Sequence, residues 1–598
     1  MLSSFSVVRG RIFSVLFCQA VLALMLTLWH IPQSAASTYD GPAELPRVYM
    51  KTALINTPAP GGVTIVNAGG SLQDALNNAS CGDTIALQAG ATFTGLFTFP
   101  AKSCDDSHWI ILRTNSLAAQ LPAEQTRITP CYAGISSLPS RPAYNCSSPT
   151  KVMAKIIGNG ANSSSGPLLF AVGANHYRLI GLEITRQPNT NNIDNLAWLQ
   201  NGGPAHHIIF DRVWMHGVAQ YDTTRGIALG GSTYVAVIDS YFSDFHCTTV
   251  TGMCGDSQAI VGGIGNLAMG PYKIVNNYLE ASGENILFGG GGGTRSPTDI
   301  EIRRNHFYKP RIWQKGQAGY VGGKGGYPFS VKNHFELKNG QRILFEANIL
   351  EYTWGGFSQA GYSILLTPKN QYGKCAKCQV TDVTVRYSRI SHVGAGFQIA
   401  NALADNGAVA FDGERYSIHD VTVDDINATA YLGAGIMAQL SQANPSPILK
   451  KVTMNHITAF PDKSLFYIGN STSGEQMQSF TFVNSIVNAG RNPVWSTGGL
   501  SNCAYHDVPL TTFGACFNPY SVTDNVIIAC SSNWPPSSWP AGNSFPSNAT
   551  PVQFVSYNGG NGGNYQLLSS SAYHGTASDG KDMGADLALL NQKLIGVS

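Results

Sequence analysis

The stretch KNHFELKNGQRILFEANIL, from Lys332 to Leu350, sets His334, Glu336 and Lys338 at every second position of a short strand. Alternate residues of a strand share one face, so an imidazole, a carboxylate and an ammonium would stand in one row. Similar phrases along the chain show how unusual that row is. The apolar pair Ile227/Leu229 matches Ile286/Phe288, Phe335/Leu337, Ile364/Leu366 and Val409/Phe411, all read as facing inward. The outward residue between them reads Ala228, Val261, Leu287, Glu336, Leu365 and Ala410. The outward positions on either side read Gly226, Ala259, Asn285, His334, Ser363, Ala408 and Gly230, Gly263, Gly289, Lys338, Thr367, Asp412. A glycine-lined floor beside one charged row makes a trough for a polymer chain. Glu284 opens the strand before the charged one, Lys332 and Asn333 lead into it, and Lys369 closes the strand after it.

The preceding loop, YKPRIWQKGQAGYVGGKGGYPFSVK, mixes Tyr308, Trp313, Tyr320 and Tyr327 with Lys309, Arg311, Lys315 and Lys324. Long loops on a rigid scaffold tend to carry function. Aromatic faces suit stacking on sugars, and cations suit carboxylates. Trp313, Tyr320, Tyr327, Arg311 and Lys332 are therefore the expected substrate-binding set. The plain alternative is an ordinary ion pair between Glu336 and Lys338 on a solvated strand face.

These residues need a scaffold, and the chain repeats one. Phrases such as HIIFDRVWMHG, VAVIDSYFSDF, YKIVNNYLEAS, IEIRRNHFYKP and RILFEANILEY recur between shorter ones such as ENILFGG and YSILLTP. Short strands with one inward face each cannot bury that face alone, but stacked repeats bury a continuous core. Asn277, Asn305 and Asn348 fall at the same corner of three repeats, where stacked amides can satisfy each other. Ser71 and Asp74 open a short helix whose apolar stripe can cover one end, and DGKDMGADLALLNQKL reads as a turn and a helix closing the other.

Composition agrees. Of the 598 residues only 12% are charged, 65 are Gly, and the net charge is +2. Few Lys and Glu among many turn residues favour short strands, and the absence of a basic run argues against a nucleic-acid partner. Arg9 and Arg11 precede an apolar stretch that ends in small residues, so residues 1–36 read as a signal peptide cut after Ala36. No other segment is long and apolar enough to span a membrane. Cys81/Cys104, Cys131/Cys146, Cys247/Cys254 and Cys375/Cys378 are locally spaced, as expected of disulfides in an exported protein. Cys503, Cys516 and Cys530 leave one cysteine over, and spacing does not say which. The expected organisation is a signal peptide (1–36), an N-terminal extension (37–65), the repeat (66–500) and a disulfide-containing closing region (501–598).

The strand phrases, the corner asparagines and the entry segment GGSLQDALNNASCGDTIALQAG resemble the single-stranded right-handed parallel β-helix of pectin-lyase-like secreted proteins, an all-β solenoid with an N-terminal capping helix. Within that superfamily the charged strand is most similar to the alginate-lyase and chondroitinase B type of polysaccharide lyase. The resemblance implies an acidic polysaccharide as partner, cleaved by β-elimination in the secreted, periplasmic or cell-surface space. It implies Lys338 as the base, Ca²⁺ held by Glu284, Asn333 and Glu336, and Lys369 or His334 assisting the leaving group or the carboxylate. That type's Glu-x-Glu followed by Lys is reduced here to Glu336-x-Lys338. A glycoside hydrolase, with Glu284 and Glu336 as its carboxyl pair, and a non-catalytic binder remain alternatives.

Overall fold

The computed structural model describes residues 38–158, 166–199, 203, 205–248, 254–357, 359–470, 475–498, 502–506 and 508–598. The expected signal peptide lies outside the described residues. Asp40–Ser598 packs as one unit.

The described residues are all-β with three short α-helices, and their strands pair in long parallel sheets. The rule of assembly is clearest around the charged strand. In chain order the strands there are β1 (Gln258–Gly262), β2 (Tyr272–Val275), β3 (Tyr278–Ala281), β4 (Glu284–Phe288), β5 (Thr298–Arg303) and β6 (His306–Tyr308). They continue as β7 (Phe335–Leu337), β8 (Gly340–Glu346), β9 (Ile349–Thr353), β10 (Tyr362–Leu366) and β11 (Ala395–Asn401). Between β2 and β10 each strand pairs, in parallel, with the third strand after it: β2 with β5 and β5 with β8, β3 with β6 and β6 with β9, β4 with β7 and β7 with β10. Parallel pairing with a period of three strands is consistent with a parallel β-helix. Two of the ladders lie in a 25-stranded sheet and the third in a 12-stranded sheet.

Inward residues fill the core. Ile286, Phe335, Ile364 and Phe397 stack in register across four coils and are fully buried. This corrects one expectation. The phrase with Val409 and Phe411 alternates like a strand, yet Phe411 is 53% exposed. The inward pair of that coil is Phe397/Ile399 on β11. The residues after β11 leave the ladder as a loop, and the chain rejoins a sheet only at Asp412. The outward column therefore runs Glu336, Leu365, Gln398, Gln439, Tyr467, Trp495. The parallel ladder also extends beyond 66–500, from Val63–Val66 to Val526–Ile528.

The corner amides stack as expected. Asn277 Nδ2 donates to Asn305 Oδ1 at 2.9 Å, and Asn305 Nδ2 donates to Asn348 Oδ1 at 3.1 Å. The same oxygens accept the backbone N–H groups of Asn277 and Asn305, so each bend satisfies the next. Helix α1 (Leu72–Asn78) starts at Ser71, whose hydroxyl accepts from Asp74 N, and buries Leu72 and Leu76. Helix α2 spans Pro509–Cys516. Helix α3 (Leu587–Leu594), capped by Asp586, buries Leu587, Leu590 and Leu594 near the other end. The four expected disulfides form, Cys503 pairs with Cys516, and Cys530 is the free thiol.

The extension after residue 40 runs back along the outside of the coils. Glu44 N donates to Asp382, Arg47 N to Asp299, Lys273 Nζ to Met50 O, and Arg178 to Thr57. Its start is held by His419, whose ring contacts Asp40 Oδ2 at 3.0 Å and Asp420 Oδ2 at 2.7 Å. Burial disfavours the imidazolium, but the two carboxylates outweigh it and lift the pKa to about 9. A raised folded pKa stabilises below the unfolded value and loses that stabilisation as pH rises through the folded one. The contact is thus present in full below about pH 6.5 and lost as pH passes about 9, a swing on the order of 3 kcal/mol. Melting curves should show wild type converging on His419→Gln across that window; a gap that stays constant with pH contradicts the assignment.

Candidate functional site

β7 brings the charged row to the solenoid's outer face, although only part of it points where alternation suggests. Phe335 and Leu337 turn into the core, and Glu336 turns out. Lys338 follows the strand, with its Nζ 3.3 Å from Glu336 Oε1. The glycine floor lies against it. Gly289 has φ +102, and a Cβ there would meet Lys338 Cβ at 2.8 Å, so the close approach of the two coils requires glycine.

Lys332, Glu336, Lys338 and Lys369 line one cleft of about 650 Å³. Asp256, Gln359, Gln371, Gln398 and Asp405 share its wall, with Phe357 and Tyr372, 44% and 62% exposed, as its aromatic faces. Glu284 is fully buried nearby, held by Gln258 Nε2 at 2.8 Å and paired with Lys332 Nζ at 3.3 Å. Lys332 Nζ also lies 2.5 Å from Asp256 Oδ2. Three carboxylates and two ammonium groups thus interlock.

The electrostatics follow from that packing. Burial opposes ionisation of Glu336, but Lys338, with the contact to Glu284 and the charge of Lys332, outweighs it and keeps the carboxyl below its usual range. Burial likewise opposes the Lys338 ammonium, and Glu336 and Glu284 outweigh it, so its pKa is raised. Glu336 Oε2 is buried without a hydrogen-bond partner, and Glu284 Oε1 faces the Lys332 ammonium at 3.3 Å.

Other expected residues lie elsewhere. His334 is fully buried and does not face the cleft: Nδ1 meets Ser363 Oγ at 2.9 Å and Nε2 meets Glu351 O at 3.0 Å. It sits just ahead of β7, where the chain is still rounding the corner, and its ring folds back onto the end of β9. Burial, then the charge of Lys309, pushes its pKa well below the usual value, which leaves a neutral ring in a structural role. Asn333 is buried with both polar side-chain atoms unpartnered and does not line the cleft. Trp313 is only 2% exposed, packed on Phe329 and His246 under the Arg141 guanidinium. Arg311 lies over the rings of Tyr431 and Tyr352. Tyr320 and Tyr327 lie outside the cleft lining too, since their loop folds against the corner near Gln220 and Cys247. The aromatic faces of the cleft are instead Phe357 and Tyr372, from short loops flanking β10.

Asp256, Asp405, Phe357 and Tyr372 were missed from the sequence. Asp256 follows the short Cys247–Cys254 loop that ends at β1, which was the available signal for it. Asp405 sits in the loop misread as a strand.

No protein-family model matches the chain, and no curated protein matches it. Among solved structures it is similar to the catalytic domain of a GH87 alpha-1,3-glucanase in complex with nigerose, at 10% identity over 80% of this chain and 70% of that one, TM-score 0.47. It is also similar to pectate lyase Pel9A, at 12% identity over 89% and 97% of the two chains, TM-score 0.37. An alginate lyase from Paenibacillus sp. str. FPU-7 matches at 12% identity over 73% and 96%, TM-score 0.29. Among the described residues no helix is long and apolar enough to cross a membrane.

Proposed function

We propose that the chain is a secreted, right-handed parallel β-helix enzyme that cleaves an acidic, uronate-containing polysaccharide by β-elimination. The observation that carries this reading is the convergence of Lys332, Lys338 and Lys369 on one cleft beside Glu336. Three cations along a trough suit a polymer that carries a carboxylate on each sugar. The hydrolase alternative draws less support. That chemistry needs two carboxyls facing the substrate, whereas Glu284 is fully buried behind the cleft lining and paired with Lys332.

In this reading Lys338, deprotonated, removes the proton on the carbon next to the uronate carboxylate. The electron pair forms the new C=C bond as the adjacent C–O bond of the glycosidic link breaks, and Lys369 protonates the departing oxygen. Lys332 keeps Glu284 and Asp256 in place. Glu284, Glu336 with its unpartnered buried Oε2, and Asn333 with its unpartnered buried amide offer oxygen donors of the kind Ca²⁺ prefers. Bound there, Ca²⁺ would neutralise the substrate carboxylate. Glu336, 3.3 Å from Lys338 Nζ, holds the ammonium at the position from which the base acts once deprotonated.

The test is a screen of alginate, pectate, chondroitin and neutral glucans for the ultraviolet absorbance of the unsaturated product, with added Ca²⁺ or chelator. Reducing ends released without that absorbance, or no turnover of any uronate polymer, would remove the lyase reading. Tyr372 offers a ring at the cleft's edge, and Tyr372→Ala should raise KM by about 5- to 100-fold with little change in kcat, from stacking worth roughly 1–3 kcal/mol by analogy with aromatic platforms elsewhere. Equal loss in kcat would place that ring at the reacting centre instead.

A further inference from the structure

The outer face of earlier coils carries a second cluster, which the proposed reaction does not use. His176, His207 and Tyr234 hold the same position in three successive coils, as the flanking register shows. Their rings stack: His176 on His207 at 4.5 Å and 8°, His207 on Tyr234 at 4.5 Å and 10°. His206 stands edge-on to both histidines, with its Nδ1 2.8 Å from His207 Nδ1. One ring nitrogen of each histidine lies within 4.8 Å of those of the other two. Asp106, on the loop that follows the Cys81–Cys104 disulfide, brings Oδ1 to 3.3 Å from His176 Nε2 and 3.9 Å from His207 Nε2.

The hydrogen bonds fix which atoms are protonated. Asn175 Nδ2 donates to Lys102 O at 2.6 Å and to Gly173 O at 2.8 Å. Asn175 Oδ1 is therefore an acceptor, and His176 Nδ1, 2.7 Å away, must donate to it. In a neutral ring this turns the lone pair of His176 Nε2 directly at the Asp106 carboxylate. Asp106 is largely exposed, and a lone pair facing a carboxylate oxygen at 3.3 Å is stabilised by a cation between them, either a proton or a metal. Neutral imidazoles and a carboxylate are ligands of Zn²⁺, and a His whose other nitrogen is fixed by a second partner is the arrangement such sites use.

We propose that His176, His206, His207 and Asp106 bind one divalent transition metal of the Zn²⁺ class, clipping the Asp106 loop onto the coils. Ligand atoms around tetrahedral Zn²⁺, at bond lengths of about 2.0–2.1 Å, stand about 3.3 Å apart. The Asp106–His176 spacing already fits, and each histidine brings a ring nitrogen within 4.8 Å of those of the other two, so binding draws these rings together.

The experiment uses the mature, untagged chain freed of metal by chelation. Titration with ZnCl₂ should show one site and a raised Tm. The His176→Ala/His207→Ala double variant, checked for its fold by circular dichroism, should bind at least about 100-fold more weakly. Glu336→Gln, in the cleft, should bind as wild type does, and β-elimination by the double variant should be unchanged, which separates this site from the proposed reaction. On wild type alone, Co²⁺ should give the intense visible bands of a tetrahedral site. No Zn²⁺ binding up to about a millimolar, a weakness that corresponds to only ~4 kcal/mol, would overturn the proposal. So would binding undiminished in a folded double variant, or an octahedral Co²⁺ spectrum. In the first case the cation is simply the proton of an imidazolium paired with Asp106.

Discussion

Lys338→Ala should lower the rate of β-elimination by about 100- to 10,000-fold, the range expected for removing a positioned proton-transfer group, with KM changed far less. Lys338 is the one ammonium paired with Glu336 on the cleft floor, 3.3 Å from it, and the small residue leaves Gly289 and the strand register undisturbed. The pH profile adds a second readout. Because its pKa is raised, chiefly by Glu336 against the effect of burial, little Lys338 is neutral at pH 7. Activity should therefore climb with pH, nearly tenfold per unit on the rising limb. Glu336→Gln removes the charge that holds the proton, so its rising limb should move to lower pH even if its maximum rate falls. An unchanged profile in that variant, or Lys338→Ala retaining most of the wild-type rate, would rule out Lys338 as the base.

The second large effect concerns stability. Lys309 is fully buried behind the turn that leads into β4. Its Nζ lies 2.7 Å from Ala281 O, 3.3 Å from Ser282 O, 2.6 Å from Gly283 O and 2.9 Å from Asn285 Oδ1. Those oxygens surround Glu284, so this lysine positions a cleft carboxylate without touching substrate. Lys309→Met keeps the length of the side chain and strands the acceptors; about 3–5 kcal/mol of stability should be lost. The sign of the pH dependence can be stated. Burial, only partly offset by Glu284 and Glu280, lowers the pKa to about 7. Between there and the ordinary lysine range the unfolded chain binds more protons than the native one, so wild-type stability gains with pH across that window. Denaturant unfolding should show the gap to Lys309→Met widening from pH 7 upward; a gap that narrows would mean the native lysine holds its proton more tightly than the unfolded one.

Period-two reasoning carried far because a parallel ladder obeys it. It placed Glu336 and Lys338 outward and Phe335 and Leu337 inward, and aligning the repeats picked out the stacked Asn277, Asn305 and Asn348. It failed where the chain leaves the ladder. His334 rounds a corner, so its ring answers to the carbonyl of Glu351 rather than to alternation. Val409 and Phe411 alternate, but the inward position of that coil was already taken by Phe397. Trp313 was assigned to substrate on its chemistry, while the loop uses it as a small core with Phe329 and Trp354. Asp256 reaches the cleft through a disulfide-bounded loop, and no local pattern shows where such a loop points.

The outward column beside β7 has a further consequence. Before the charged rung it is aliphatic, with Ala228, Val261 and Leu287; past Leu365 it becomes amide and aromatic, with Gln398, Gln439, Tyr467 and Trp495. Rungs recur about every 4.8 Å, so an extended chain lying along the axis meets unlike footholds on its two halves. Such a track has a heading: one end of a bound oligomer is gripped and the other is only sheltered, and reversing the oligomer is not equivalent to leaving it as it was.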